Sequence, residues 1–449
     1  MRALTVSLLA LLLLCPTASA QKSGTVGLFA VMDEVERMAA AELWPGFDPR
    51  RVPAAIFDGR VTLLFQHPQP PAGFVSLSSR RGVWAFPGRH ESVTSNAPAK
   101  LGGVLTATAL LTPDRRRTTR DAAALVVHEM FHAFQREHHP DWQANELDLF
   151  AYPFDDAEVL RLRRLESEAL RRAADANDTR NASCWAATAV GLRRARFALL
   201  PKASAAYERA SEFNEGLAAY VEARAAGRRG SGLTAVEFAP EEIRQRAYLS
   251  GRALAVLLDR LSPGWKQKFE AGEKRPLDEL LEAALPPVAR CELDSSAQEA
   301  ERMRAQGDVA KLNSEREAAR RDYLARDGWR LVLLSAEGAP LWPQDFDPLN
   351  LRRLSPAELL HTRHLKLGND AGRIELFGRA ALTEGAGEHP LFNGVRRLTV
   401  AGLPSEPTVK ESGDAVSIAT ADLKAEFNAA RVAREGRTIT VQLLPLATR

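Results

Sequence analysis

His128-Glu129-Met130-Phe131-His132 sets two imidazoles and a carboxylate at a spacing suited to hydrolysis at a metal ion. The run from Asp121 to Arg136 holds no Gly or Pro, and Thr118 stands three residues before Asp121 as a capping-box-like start, so it predicts one helix. On that helix His128 and His132 are i and i+4. They share a face, within reach of one ion at about 2.0–2.1 Å from each ring. Glu129 falls roughly 100° round the helix, too far aside to ligate but placed to take a proton from water at the ion. A core helix with two satisfied histidines would read similarly. Against that, Leu125, Val126, Val127, Met130, Phe131 and Phe134 surround the polar trio. Burial follows, and two buried imidazoles beside a buried carboxylate are costly unless something binds them. The motif therefore points to one zinc ion per chain, with His128 and His132 as ligands and Glu129 as general base.

A catalytic zinc takes three protein ligands and keeps one position open, so a third ligand is needed. Phe213-Asn214-Glu215-Gly216-Leu217-Ala218-Ala219-Tyr220-Val221-Glu222 offers Glu215. With the two-histidine motif it resembles the gluzincin metallopeptidases, whose third ligand is a glutamate on a later helix, in the aminopeptidase branch within an Asn-Glu-Gly-x-Ala string. The resemblance implies His128, His132 and Glu215 as metal ligands and Glu129 as base. Small side chains at Gly216 and Ala218 would let this helix approach the motif helix closely. Tyr248-Leu-Ser-Gly251 is similar to a Tyr-x-x-Gly segment of those enzymes whose hydroxyl stabilises the tetrahedral intermediate, which implies that role for Tyr248. A half-buried core tyrosine is the other reading. The resemblance spans residues 45–285, with two departures. Glu215 follows His132 by 83 residues, far more than in the aminopeptidases, which implies inserted helices. The Gly-x-Met-Glu-Asn string that grips a free amino terminus there is absent, so aminopeptidase specificity does not carry over.

Other side chains compete for the third place. Glu166 and Glu168 sit on a helix with an apolar stripe, and either could ligate or support a histidine from behind. His138 completes the spacing H-E-x-x-H-x-x-G-x-x-H of the metzincins, but Gln135 stands where that motif needs glycine. On an unbroken helix His138 points about 240° away from His132. His361 and His364 fall in a β-rich region without neighbouring Cys or clustered acids and read as surface residues. His90 reads as an exposed loop histidine.

The elements that must position these groups predict an α+β protein. Residues 21–117 form a small β-rich lobe with strands over 52–57, 61–65, 82–86 and 104–111; the third could serve as an edge for an extended peptide. Residues 118–290 form the helical zinc-binding lobe, with helices over 158–174, 188–199, 204–226, 240–260 and 277–284. Within a linker over 291–327, residues 295–326 read as one long charged helix, a solvated spacer or brace. Residues 328–449 alternate between β-branched runs and turns and predict a β-sandwich-like domain.

Arg2, the apolar run from Leu8 to Leu14 and Ala18-Ser19-Ala20 read as a signal peptide cleaved after Ala20. Its removal lowers the formal charge from +3 to +2, since Arg2 is its only charge, which predicts no nucleic-acid partner. No later apolar run is long enough to span a bilayer. Cys184 and Cys291 could pair in an oxidising compartment or remain two buried thiols. The expected protein is a periplasmic or secreted zinc metallopeptidase acting on a peptide or protein, endo- or exopeptidase and oligomeric state left open. A wall- or surface-binding protein with a structural metal site, and an amidase acting on a non-protein amide such as peptidoglycan, are the rival readings.

Overall fold

The computed structural model describes residues 27–111, 118–234, 238–287, 289–347, 350–387 and 389–445. The signal peptide expected over 1–20 lies outside the described residues. The architecture is α+β, with a helical middle region and a strand-rich C-terminal third. Two compact units divide the chain, 1–134 and 135–449. Among the described residues no helix is long and apolar enough to cross a membrane.

In the first unit, α1 (Leu28–Met38) buries Leu28, Val31, Met32, Val35 and Met38, the three-and-four spacing of one helix face. Then come β1 (Ala54–Phe57), β2 (Val61–Phe65), β3 (Val75–Ser76), β4 (Val83–Pro87), β5 (Ala97–Leu101) and β6 (Val104–Leu110), in one sheet of order β3-β4-β2-β1-β6-β5. β1 and β6 pair in parallel and the other neighbours antiparallel. β4 corrects an expectation: it is not an edge, because β3 covers it through Val75↔Ala85 and Ser76↔Trp84. Two paired residues leave no alternation to read in a sequence. His90 is a second correction. It is buried, its ring centroid 5.2 Å from that of Phe74 and 5.0 Å from that of Phe86.

α2 (Thr119–His138) starts as its sequence predicts. Thr118 Oγ1 accepts from the Asp121 N–H at 3.1 Å, and the Asp121 carboxylate accepts from the Thr118 N–H and hydroxyl at 3.4 and 2.7 Å. This is a capping box with aspartate as the reciprocal acid.

The second unit carries α3 (Ala157–Ala174), α4 (Thr179–Phe197), α5 (Lys202–Ser211), α6 (Leu217–Ala225), α7 (Ile243–Leu261), α8 (Trp265–Glu270), α9 (Leu277–Ala284) and α10 (Ser295–Leu324). α4 begins earlier than the hydrophobic pattern predicts, because Asp178 accepts from the Asn181 N–H at 2.8 Å and caps it there. The single helix expected over 204–226 is α5, a π turn over Glu212–Gly216, and α6. Between these helices lies a charge network in which Glu166, Glu208, Glu212, Arg193, Arg196 and Arg246 are each 3% exposed or less. Burial pushes the Glu166 carboxyl up, but Arg193, Arg196 and Arg246 outweigh it and hold it well below the usual carboxylate range.

α10 is more than a solvated spacer. Ala305, Val309, Leu312, Arg316 and Tyr323 make a buried stripe along it, and Ala305 and Val309 pack with Leu160 of α3. Beyond it, β7 (Trp329–Leu334), β8 (Trp342–Phe346), β9 (Leu351–Arg353), β10 (Glu358–His361), β11 (His364–Asn369), β12 (Gly372–Phe377), β13 (Ala381–Gly385), β14 (Val395–Leu403), β15 (Thr408–Ser412), β16 (Ala415–Ala419), β17 (Leu423–Phe427), β18 (Ala430–Glu435) and β19 (Thr438–Leu443) form two sheets. Their orders are β18-β19-β7-β14-β13-β10-β9 and β15-β16-β17-β12-β11-β8. One core takes Leu331, Leu398 and Val441 from the first and Leu367, Ile374 and Ala425 from the second, the packing of a β-sandwich. His361 and His364 are not surface residues as expected. His361 is fully buried with Nε2 3.1 Å from Thr383 Oγ1, and His364 is half-buried with Nδ1 3.1 Å from the Leu376 carbonyl.

Cys184 on α4 and Cys291, before α10, form a disulfide across 107 residues of chain. A form of the chain lacking residues 1–20, and with them Cys15, is therefore expected to titrate no thiol when denatured without reductant. Reduction is expected to lower stability by roughly 2–5 kcal/mol, read from denaturant midpoints; two free thiols in freshly purified protein would contradict the bridge.

Candidate metal centre

α2 buries its motif as its apolar flanks require. His128 is 4%, Glu129 4% and His132 8% exposed, while Met130 and Phe131 are fully buried. Phe131 lies edge-on to Trp44 and Phe47 with ring centroids 5.4 and 5.2 Å apart, which fixes the helix in rotation. His128 and His132 share a face, and their Nε2 atoms are 3.0 Å apart.

Glu215 reaches its place through its backbone. It sits in the π turn, where an extra residue per turn displaces the carbonyls from the α-helical ladder. Gln135, which follows His128 and His132 on the same helix face and is fully buried, donates from Nε2 to the Phe213 and Asn214 carbonyls at 2.9 and 3.0 Å. Trp142 stacks on Phe213 at 5.5 Å. Glu212, first in the turn, accepts from Arg193 at 2.7 and 2.5 Å and from Ser250 Oγ at 2.5 Å. A Cβ on Gly216 would lie 2.6 Å from Gly251 Cα, and one on Gly251 would lie 2.7 Å from the Glu212 carbonyl oxygen. Both must be glycine for α7 to cross the turn. The close approach that Gly216 permits is thus to α7, where the sequence reading places the motif helix.

One ligand atom from each of His128, His132 and Glu215 lies within 4.8 Å of the others, and all three residues are buried. This group could hold a metal ion. Two nitrogens bound at about 2.0–2.1 Å to one tetrahedral ion stand about 3.3 Å apart, so the histidine pair needs only a few tenths of an ångström of adjustment. Arg244 Nη2 donates to Glu215 Oε1 at 2.6 Å. Burial opposes the charge of Arg244, but Glu215, with Tyr248 and Glu146, holds its pKa above the ordinary value. The same guanidinium sits 5.8 Å from the centre of the Tyr248 ring, one turn on in α7. Tyr248 is half-buried.

The competing side chains are spent elsewhere. Glu166 takes hydrogen bonds from Arg193, Arg196 and Arg246 at 2.7–2.9 Å. Glu168 takes Arg171 and Arg172 at 2.6–2.9 Å. His138 ends an unbroken α2 and is exposed, the outcome that Gln135 in place of glycine predicts. Gln135, Arg244 and Arg193 are positioning residues that the sequence reading does not identify. Only Gln135 carries a signal: a third polar side chain on the helix face of the two histidines, i+7 from His128 and i+3 from His132.

Glu215→Ala is expected to lose bound divalent metal on dialysis against a weak chelator, and His138→Ala to keep it. Glu166→Ala is expected to destabilise the fold by about 3–5 kcal/mol through the arginines it strands, measured by denaturant unfolding. Retention of metal by Glu215→Ala would remove the proposed ligand set. Gln135→Leu is expected to keep the helical circular dichroism and weaken metal binding about 10–100-fold; unchanged affinity in a competition titration would contradict its role. No family model, no curated protein and no solved structure matches this chain.

Proposed function

We propose that this chain is a zinc-dependent metallopeptidase of the gluzincin kind, exported from the cell. The observation that carries the reading is the buried His128, His132 and Glu215 group, with Glu129 following the first histidine on the same helix. Two imidazoles and one carboxylate are the donor set of a catalytic zinc, and three protein ligands leave the open position that a four-ligand structural site lacks. When bound, zinc supplies Lewis acidity that acidifies water and polarises a carbonyl.

The chain's own residues do the rest. Glu129, buried and beside the ligands, accepts the proton of the attacking water and returns it to the leaving nitrogen. Tyr248 offers a hydroxyl to the developing oxyanion. Arg244 holds one oxygen of Glu215 and so fixes where the carboxylate sits. The disulfide and the signal-like start of the sequence support an oxidising compartment outside the cytoplasm.

Glu129→Gln is expected to bind one zinc per chain like the parent protein while peptide hydrolysis falls about 1000-fold or more, several kcal/mol of transition-state stabilisation. A peptide library and a peptidoglycan amide are assayed side by side. Turnover surviving in Glu129→Gln would reject this mechanism, and turnover of the wall amide alone would replace the peptidase reading with an amidase.

A further inference from the structure

A cavity of about 320 Å³ lies in the helical part of the second unit, walled by α3, α7 and the first turns of α10. Six arginines line it: Arg163, Arg164, Arg171, Arg172, Arg246 and Arg304. The lining holds two carboxylates, Glu168 and Glu301. Each is shared, Glu168 between Arg171 and Arg172, and Glu301 between Arg164 and Arg304. Arg164 also reaches Asp308 at 2.7 Å, and Arg246 is held by Glu166 at 2.7 Å.

Arg163 is the exception. It is 2% exposed, its two terminal nitrogens donate to the Pro240 and Ala239 carbonyls at 2.9 and 2.8 Å, and its buried Nε has no hydrogen-bond partner. Carbonyls solvate a cation without neutralising it, and a buried guanidinium in that state is costly. Burial pushes its pKa down to about 10. Arg171 and Arg172 stand at the rim with side chains 31% and 39% exposed, where an entering ligand would meet them. A guanidinium N–H such as Arg163 Nε makes a short, charge-assisted hydrogen bond to a phosphate or carboxylate oxygen.

We propose that this cavity is a binding site for a small polyanion, a phosphate- or polycarboxylate-bearing molecule held by Arg163 at its base and by Arg171 and Arg172 at its mouth. The site is separate from the metal ligands and does not depend on the peptidase reading.

Isothermal titration of the full mature protein with inorganic phosphate, and separately with succinate, tests this at physiological ionic strength. At least one anion is expected to bind with Kd below about 1 mM. The double variant Arg171→Gln, Arg172→Gln changes only rim residues and is expected to fold, keep its metal content and bind the anion at least about tenfold more weakly. Arg163→Gln is expected to abolish binding. Phosphate alone, succinate alone or both identifies the ligand chemistry. Binding of neither, or binding that the rim double variant leaves unchanged, overturns the site.

Discussion

The placement of Glu215 is the constraint on which the rest of the site depends. Two histidines four residues apart meet wherever their helix forms. A glutamate 83 residues further on must be delivered by tertiary structure. Its side chain alone could not carry that precision, so the backbone of the π turn is fixed from several sides. Gln135 holds two of its carbonyls, Arg193 and Ser250 hold Glu212, and Gly251 lets α7 press against Gly216. Ligand positioning of this kind comes from packing and hydrogen bonds behind the ligand.

The buried charge network belongs to the same logic. Ion pairs taken wholly out of water recover little more than their desolvation cost, so Glu166, Glu208 and their arginines are a weak source of stability. They act through selection among carboxylates. Glu166 accepts four hydrogen bonds from three arginines, as many as two ionised oxygens have lone-pair sites for. It has no capacity left for a metal. Glu212, three residues before Glu215, is likewise committed to Arg193 and Ser250. Of the glutamates in this stretch, Glu215 is the one grouped with His128 and His132 where a metal ion could be held.

What could be read from the sequence follows the range of the interactions involved. The capping box at Thr118 and Asp121, the rotation of α2 and the shared face of His128 and His132 are local, and they appear in the structure as the residue spacing predicts. Strands such as β7 and β19, with their own β-branched patterns, are legible for the same reason. The π turn is not, because propensity and periodicity describe α5 and α6 as one uninterrupted helix and the widening is imposed by Gln135 and α7. The short strand β3 and the buried His90 and His361 depend on neighbours distant in sequence. Arg244 and Arg193 are two among many arginines, and no local pattern marks them until their carboxylate partners are placed.

The C-terminal sandwich has a place in this arrangement through the segment it grips. Tyr323 of α10 enters the sandwich, where its hydroxyl lies 3.0 and 2.9 Å from the Ala380 and Thr399 carbonyls and accepts from the Ala401 N–H at 3.1 Å. His389 Nε2 lies 3.1 Å from the Leu147 carbonyl, its ring 6.2 Å from that of Phe150, and Arg353 donates to the Tyr152 carbonyl. These contacts hold the short 3₁₀ segment Glu146–Ala151. Glu146 in turn lies 3.3 Å from Arg244 Nε, and Arg244 grips Glu215. A line of hydrogen bonds and ion pairs thus runs from the sandwich to Glu215, the third member of the group that could hold a metal ion. Exposed ion pairs such as Glu146 with Arg244 contribute little energy singly, so the effect of the sandwich is on geometry: it limits where Arg244 can hold the Glu215 carboxylate.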